Sequence, residues 1–205
     1  MDLKQRIAQG EGTQLDFKFR IDDQRKIART LVAFANSHGG SLLIGVKDNG
    51  KISGVNPEEE FHMIEGAASM YTKPQVLFES KTWQEGHHFV LEIVVPKSNE
   101  KHKAPDDEDH MRAYVRVDDH TLLGNKILEK IWRLEKFGVN RPESFDEDTL
   151  ILIQTIQEFQ PLTISKLYRS INLPKNKVDS IVSVLVFWNV IEMKVTEAGT
   201  FYCVD

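Results

Sequence analysis

Residues 11–20, EGTQLDFKFR, and residues 33–55, AFANSHGGSLLIGVKDNGKISGV, decide how this chain is read. In the first piece Leu15, Phe17 and Phe19 alternate with Asp16, Lys18 and Arg20. A period of two predicts a strand with one buried and one polar face, Asp16 and Lys18 projecting together to the polar side. The second piece holds a nearly unbroken apolar run from Ser41 to Lys47, the pattern of a strand inside a sheet. Asp48, Asn49 and Gly50 then signal a hairpin that returns the chain through Lys51 to Val55. Close pairing of these strands would let Asp48 meet Asp16 and Glu11 at one rim.

Between the pieces, Ile27, Leu31, Phe34 and Ala35 recur at helical spacing, with Asp22 or Asp23 placed to cap the start. Gly39 and Gly40 end that helix, since glycine takes the left-handed conformation that closes a helix at little cost. Upstream, Leu3 and Ile7 mark a short lead-in helix. Downstream, Pro57 and Glu58 to Glu60 suit the first turn of a helix continuing through Ile64 and Ala68 to Tyr71. Residues 76–83 and 87–95 read as a hairpin, residues 96–110 as a polar loop with the acidic run Asp106 to Asp109, and residues 113–117 as a short strand. Helical spacing returns over residues 123–137, in a helix that closes the first domain or bridges to the next.

Gly138 to Ser144, with Pro142, is the best linker candidate. Beyond it the pattern is helix, short helix, turn, helix and two short strands, the order of a winged helix-turn-helix. The expected division is therefore a first domain over residues 1–137, a linker over 138–145 and a winged helix over 146–205. The fold class is α+β: a mixed sheet with helices, followed by the winged helix.

The net charge of -5 excludes an overall basic field as the basis of nucleic-acid binding, so any such binding needs a local patch. The single cysteine, Cys203, excludes an intramolecular disulfide and a multi-cysteine zinc site. The amino terminus lacks the apolar core of a signal peptide and no apolar run reaches bilayer length, so the expectation is a soluble, cytoplasmic protein with no membrane partner.

The motifs together resemble the Schlafen AlbA_2 domain family, also called divergent AAA-4. The resemblance lies in Glu11, Asp16, Phe17 and Lys18, in Ala33 to Asn36, in Gly39 and Gly40, in Gly45 to Asp48, in Val95, Pro96 and Lys101 to Lys103, and in Ala113 to Val117 with Thr121. It covers about two-thirds of the chain. In nuclease-active animal members three acids form the catalytic site, which implies Glu11, Asp16 and Asp48 here as ligands of Mg²⁺ or Mn²⁺, with Lys18 beside them to offset charge on a phosphoryl group. The middle acid of the family is usually glutamate; Asp16 is one methylene shorter. Those members also carry two lobes, whereas this chain has one, which points to a homodimer that rebuilds the pair. The family label implies ATP binding, but the chain has no P-loop: its glycines precede a strand instead of opening a helix.

Positive charge from Lys101, Lys103, Arg112 and Arg116 flanks the acidic loop and suits phosphate contacts. In the second domain the candidate recognition helix begins Lys175-Asn176-Lys177, a basic turn able to enter a major groove. The reading at this level is a transcriptional regulator that binds DNA or RNA. Its alternatives are a metal-dependent endoribonuclease acting on structured, tRNA-like RNA through Glu11, Asp16 and Asp48, and an ATP-binding or protein-interaction module.

Overall fold

A computed structural model describes residues 2–204. Helix α1 (Leu3–Ile7) is opened by Asp2, whose side chain accepts the Gln5 N–H while the Gln5 side chain reaches back to Asp2. Strand β1 (Leu15–Lys18) runs parallel to β2 (Gly40–Ile44), pairing Leu15 with Ser41 and Lys18 with Ile44. Parallel neighbours need a crossover, and α2 (Gln24–Asn36) supplies it, capped by Asp23 at the Arg25 and Lys26 N–H groups. Then follow α3 (Pro57–Tyr71), β3 (Glu79–Glu85) and β4 (His88–Val95). The sheet order is β1-β2-β4-β3, and β4 is antiparallel to both of its neighbours.

Both faces of this sheet are covered, which corrects the expectation of a polar face on β1. Leu15, Phe17, Leu43 and Val90 form one core with Leu3 of α1. Leu42, Ile44, Leu91 and Ile93 form the other with α2 and α3. Asp16, on the α2 side, is therefore only 4% exposed. Helix α2 is buried around most of its circumference, because the sheet takes one flank and α3 and later strands take others. Gly40 is demanded by this packing: a Cβ there would stand 2.3 Å from the Phe34 ring.

Two small hairpins complete the first unit, β5 (Ala104–Pro105) with β6 (Met111–Arg112), and β7 (Tyr114–Val117) with β8 (His120–Leu123). The Asn36 side chain holds them to the end of α2. Its Nδ2 donates to the His102 and Tyr114 carbonyls and its Oδ1 accepts the His102 N–H, three bonds of 2.8–2.9 Å in a buried place. The acidic loop closes over α2 as well, through Arg25 with Asp109 and Arg29 with Asp107, both at 2.7 Å.

The chain divides into Met1–Leu123 and Gly124–Asp205, not at residue 137. Helix α4 (Lys126–Phe137), assigned above to the first domain, belongs to the second unit because its Ile127 and Ile131 are buried in that unit's core. The rest is α5 (Glu147–Phe159), β9 (Leu162–Thr163), α6 (Ile164–Ser170), α7 (Lys175–Phe187), β10 (Glu192–Thr196) and β11 (Gly199–Cys203), with sheet order β10-β11-β9. Leu152, Ile156, Leu167, Val178, Val182, Leu185 and Tyr202 fill the core. From α5 onward this unit is a succession of helix, strand, two helices and a hairpin. Among the described residues no helix is long and apolar enough to cross a membrane.

Candidate functional site

Asp16 is placed mid-strand on β1, where the pleat turns it toward α2. There Arg116 from β7 donates from Nη2 to Oδ1 at 2.9 Å, with side-chain exposures of 2% for Arg116 and 5% for Asp16. The guanidinium is held further by Nε–H to the Gly12 carbonyl at 3.3 Å and Nη1–H to the Thr121 hydroxyl at 3.2 Å, and it lies 5.2 Å from the centre of the Phe34 ring. Lys18, two residues along the same face, brings Nζ to 2.8 Å from the other Asp16 oxygen. That oxygen, Oδ2, is buried and gains charge contact from Lys18 without hydrogen-bond alignment; the ammonium donates instead to the Phe17 carbonyl at 2.8 Å.

Glu11 folds back along β1 and accepts the Phe17 N–H at Oε1, 2.9 Å away. Burial pushes its carboxyl above the usual range, and the Asp16 carboxyl beside it pushes in the same direction; the Phe17 N–H and Lys18 pull the other way without prevailing. Glu11, Asp16 and Lys18 thus come together as the sequence spacing implied.

Asp48 does not complete the site. It stands exposed in the turn between Lys47 and Gly50, and no group of three acidic, histidine or cysteine side chains suited to a metal ion occurs among the described residues. Asp16 Oδ2, the one orphaned side-chain oxygen among the described residues, already has an ammonium at contact distance, and its sister oxygen is taken by Arg116. Asp16 is thus engaged by two protein cations, and the expected Glu11/Asp16/Asp48 ligand set for Mg²⁺ or Mn²⁺ is not gathered among the described residues.

Beside Glu11 opens a cleft of about 510 Å³, lined by Arg6, Gln9, Gln14, His38, Gly39 and Lys97 among others. Its glycines are not a bare phosphate cradle. A Cβ on Gly39 would meet the Lys97 nitrogen and Val95 oxygen at 2.8 Å, so the protein's own backbone fills the space. Sequence reading missed the network under this cleft: Arg6 donates from Nε to Glu92 at 3.0 Å and from Nη2 to the Ser41 hydroxyl, while Trp83 Nε1 donates to the other Glu92 oxygen at 2.7 Å. A single acid in the apolar strand HFVLEIVV, buried to 4% exposure, was the available signal.

The expected phosphate contacts divide. Arg116 is buried with Asp16 and is not a surface cation, a correction that follows from β7 packing on α2. Lys101, Lys103 and Arg112 are half-buried: Lys103 bridges to Lys73 through the backbone, and Arg112 of β6 pairs with Ala104 of β5. Lys175, Asn176 and Lys177 are all exposed on the first turn of α7. Lys177 is paired with Asp148, Lys175 lies 5.6 Å from the Tyr168 ring centre, and Lys130 of α4 donates to the Ser180 hydroxyl at 3.1 Å.

A search of the curated proteins gives no match. Among solved structures, the chain is similar to the crystal structure of the DIP2311 protein from Corynebacterium diphtheriae, at 16% identity and a TM-score of 0.47, covering 92% of this chain and 38% of that one. It is also similar to the solution structure of the N-terminal domain of a RecG-related protein from Nitrosomonas europaea, at 19% identity and a TM-score of 0.38, covering 72% of this chain and 92% of that one. The chain thus spans well under two thirds of the first of these relatives. The family model described as Schlafen, AlbA_2 matches residues 11–123, more than half of the 205, and the chain belongs to the Schlafen AlbA_2 family.

Proposed function

We propose that this protein is a nucleic-acid-binding regulator that engages duplex DNA through the first turn of α7. The observation that carries the reading is the division of that helix. Lys175, Asn176 and Lys177 are exposed at its start while Val178, Val182 and Leu185 are buried beneath, so a basic end is presented on a rigid base. Lys130 adds charge from α4 beside Ser180. Asp179, on the same helix, is engaged by the Tyr168 hydroxyl, while Asp148 of α5 is paired with Lys177. Membership of the Schlafen AlbA_2 family supports nucleic acid as the partner.

The metal-dependent ribonuclease reading is the weaker one, because Asp16 is already neutralised by Arg116 and Lys18. The test is fluorescence anisotropy of the full chain with labelled duplex DNA and with structured RNA across a salt series, with and without Mn²⁺, each sample also run on a denaturing gel. Lys175→Ala and Lys177→Ala are each expected to weaken duplex binding and to lower the log–log salt slope by about 1. No duplex affinity at low salt overturns the proposal. Metal-dependent RNA cleavage lost in Asp16→Asn would establish the nuclease instead.

A further inference from the structure

The sheet of the first unit has two edges, and only one is closed by the chain itself. On the outer side of β1 the Phe17 N–H is taken by Glu11, the Gly12 N–H bonds to the Leu15 carbonyl at 2.8 Å, and Arg116 binds the Gly12 carbonyl. At the opposite edge lies β3, paired with β4 along its whole length from Glu79↔Val94 to Glu85↔His88. Among the described residues no strand pairs with its outer side. The antiparallel alternation turns every second N–H and C=O outward, and no proline interrupts the seven residues ESKTWQE. Such an edge is a template for another strand unless its charges forbid one.

Those charges select one partner and one register. Glu79, Lys81, Trp83 and Glu85 share a face of β3, Lys81 opposite Glu92 and Trp83 opposite Val90. A second copy laid antiparallel about a two-fold axis must set some residue against itself. An axis at Lys81 opposes two lysines, and an axis at Thr82 opposes Glu79 with the partner's Glu85 at both ends. An axis at Gln84 leaves a three-residue overlap of strand. An axis at Trp83 sets Lys81 against the partner's Glu85 twice, Thr82 against the partner's Gln84 and Trp83 against the partner's Trp83, so opposite charges flank an aromatic pair. Lys81 already lies 3.4 Å from the centre of the Trp83 ring, and Glu85 holds only Lys4, an exposed ion pair open to exchange.

We infer that β3 is a homotypic interface at which two copies pair antiparallel about Trp83, joining their sheets edge to edge. This goes beyond the nucleic-acid reading and does not depend on it, since the experiment contains no nucleic acid.

The experiment is light scattering on the eluted full chain at micromolar concentration, with circular dichroism to verify folding of each variant. The wild type is expected to be a dimer. Lys81→Glu and Glu85→Lys each place like charges opposite one another twice and are expected to weaken the dimer by about tenfold or more. The double variant regenerates two opposite pairs and is expected to dimerise again, and Lys4→Ala, which removes only the intrachain partner of Glu85, leaves the dimer intact. A monomeric wild type, a dimer indifferent to both single charge reversals, or a double variant that stays monomeric would overturn the inference.

Discussion

Asp16 and Arg116 stand a hundred residues apart in the chain and meet at 2.9 Å with both side chains at least 95% buried. The pair fastens β1 to the β7–β8 hairpin, and through Phe34 to α2. Its worth to stability lies less in the attraction than in what remains when one partner goes. Arg116→Met leaves a buried, half-neutralised carboxylate and is expected to cost about 3–5 kcal/mol, whereas Asp16→Asn combined with Arg116→Met costs less than the sum of the two single changes. Urea unfolding of the four proteins in the cycle measures this, and strict additivity would contradict it.

Glu11 makes the stability depend on pH in the opposite sense to a salt-bridged acid. Burial and the adjacent Asp16 raise its folded value above the unfolded one. Between those two values the folded chain holds more protons than the unfolded chain, so this group's contribution is best below the unfolded pKa, falls as pH rises through the folded pKa, and is constant above. Glu11→Gln keeps an acceptor for the Phe17 N–H and removes the titration. The stability difference between Glu11→Gln and the wild type is therefore expected to shift in the variant's favour as pH rises from the acid range toward neutrality, as read by denaturant unfolding at a series of pH values.

How far these relationships were legible differs residue by residue. The period of two assigned Asp16 and Lys18 to one side of β1, and the residues Asp48 to Gly50 located a turn, since both signals are local; the expected return strand over residues 51–55 shrinks to a single bridge between Val46 and Ile52. What periodicity does not carry is the identity of the cover: Arg116 closes over Asp16 only because β7 packs on α2, and nothing near Asp16 in sequence announces it. The same limit misplaced α4. Ile127 and Ile131 present an apolar stripe that suits either neighbour, and burial with Val178, Val182 and Leu185 decides for the second unit. The β8 strand, HTLL, was missed because it is short and mixed in character.

Gly40 separates a packing role from a ligand role. A methyl group there meets the Phe34 ring at 2.3 Å, so Gly40→Ala is expected to destabilise the first unit by about 1–3 kcal/mol through overpacking. Shrinking the obstacle should recover part of that loss, making Gly40→Ala with Phe34→Leu less costly than the two changes summed. Thermal unfolding followed by circular dichroism gives the comparison. An unchanged melting temperature in Gly40→Ala would mean that the glycine serves something other than the close approach of Phe34.

Lys177 is exposed yet not idle: Asp148 from α5 forms an ion pair with it and holds its ammonium above the ordinary lysine range through that bond. A phosphate approaching α7 must compete with this carboxylate. Removing the competitor by Asp148→Ala frees the ammonium and deletes one negative charge beside the duplex. The expected result is about 2- to 5-fold tighter duplex binding at low salt, an advantage that shrinks as salt screens the surface. Lys177→Ala should abolish that advantage, because Asp148 acts on DNA chiefly through Lys177. Anisotropy titrations of the single and double variants over a salt series provide the check, and an equal gain with or without Lys177 would mean that Asp148 repels the duplex directly.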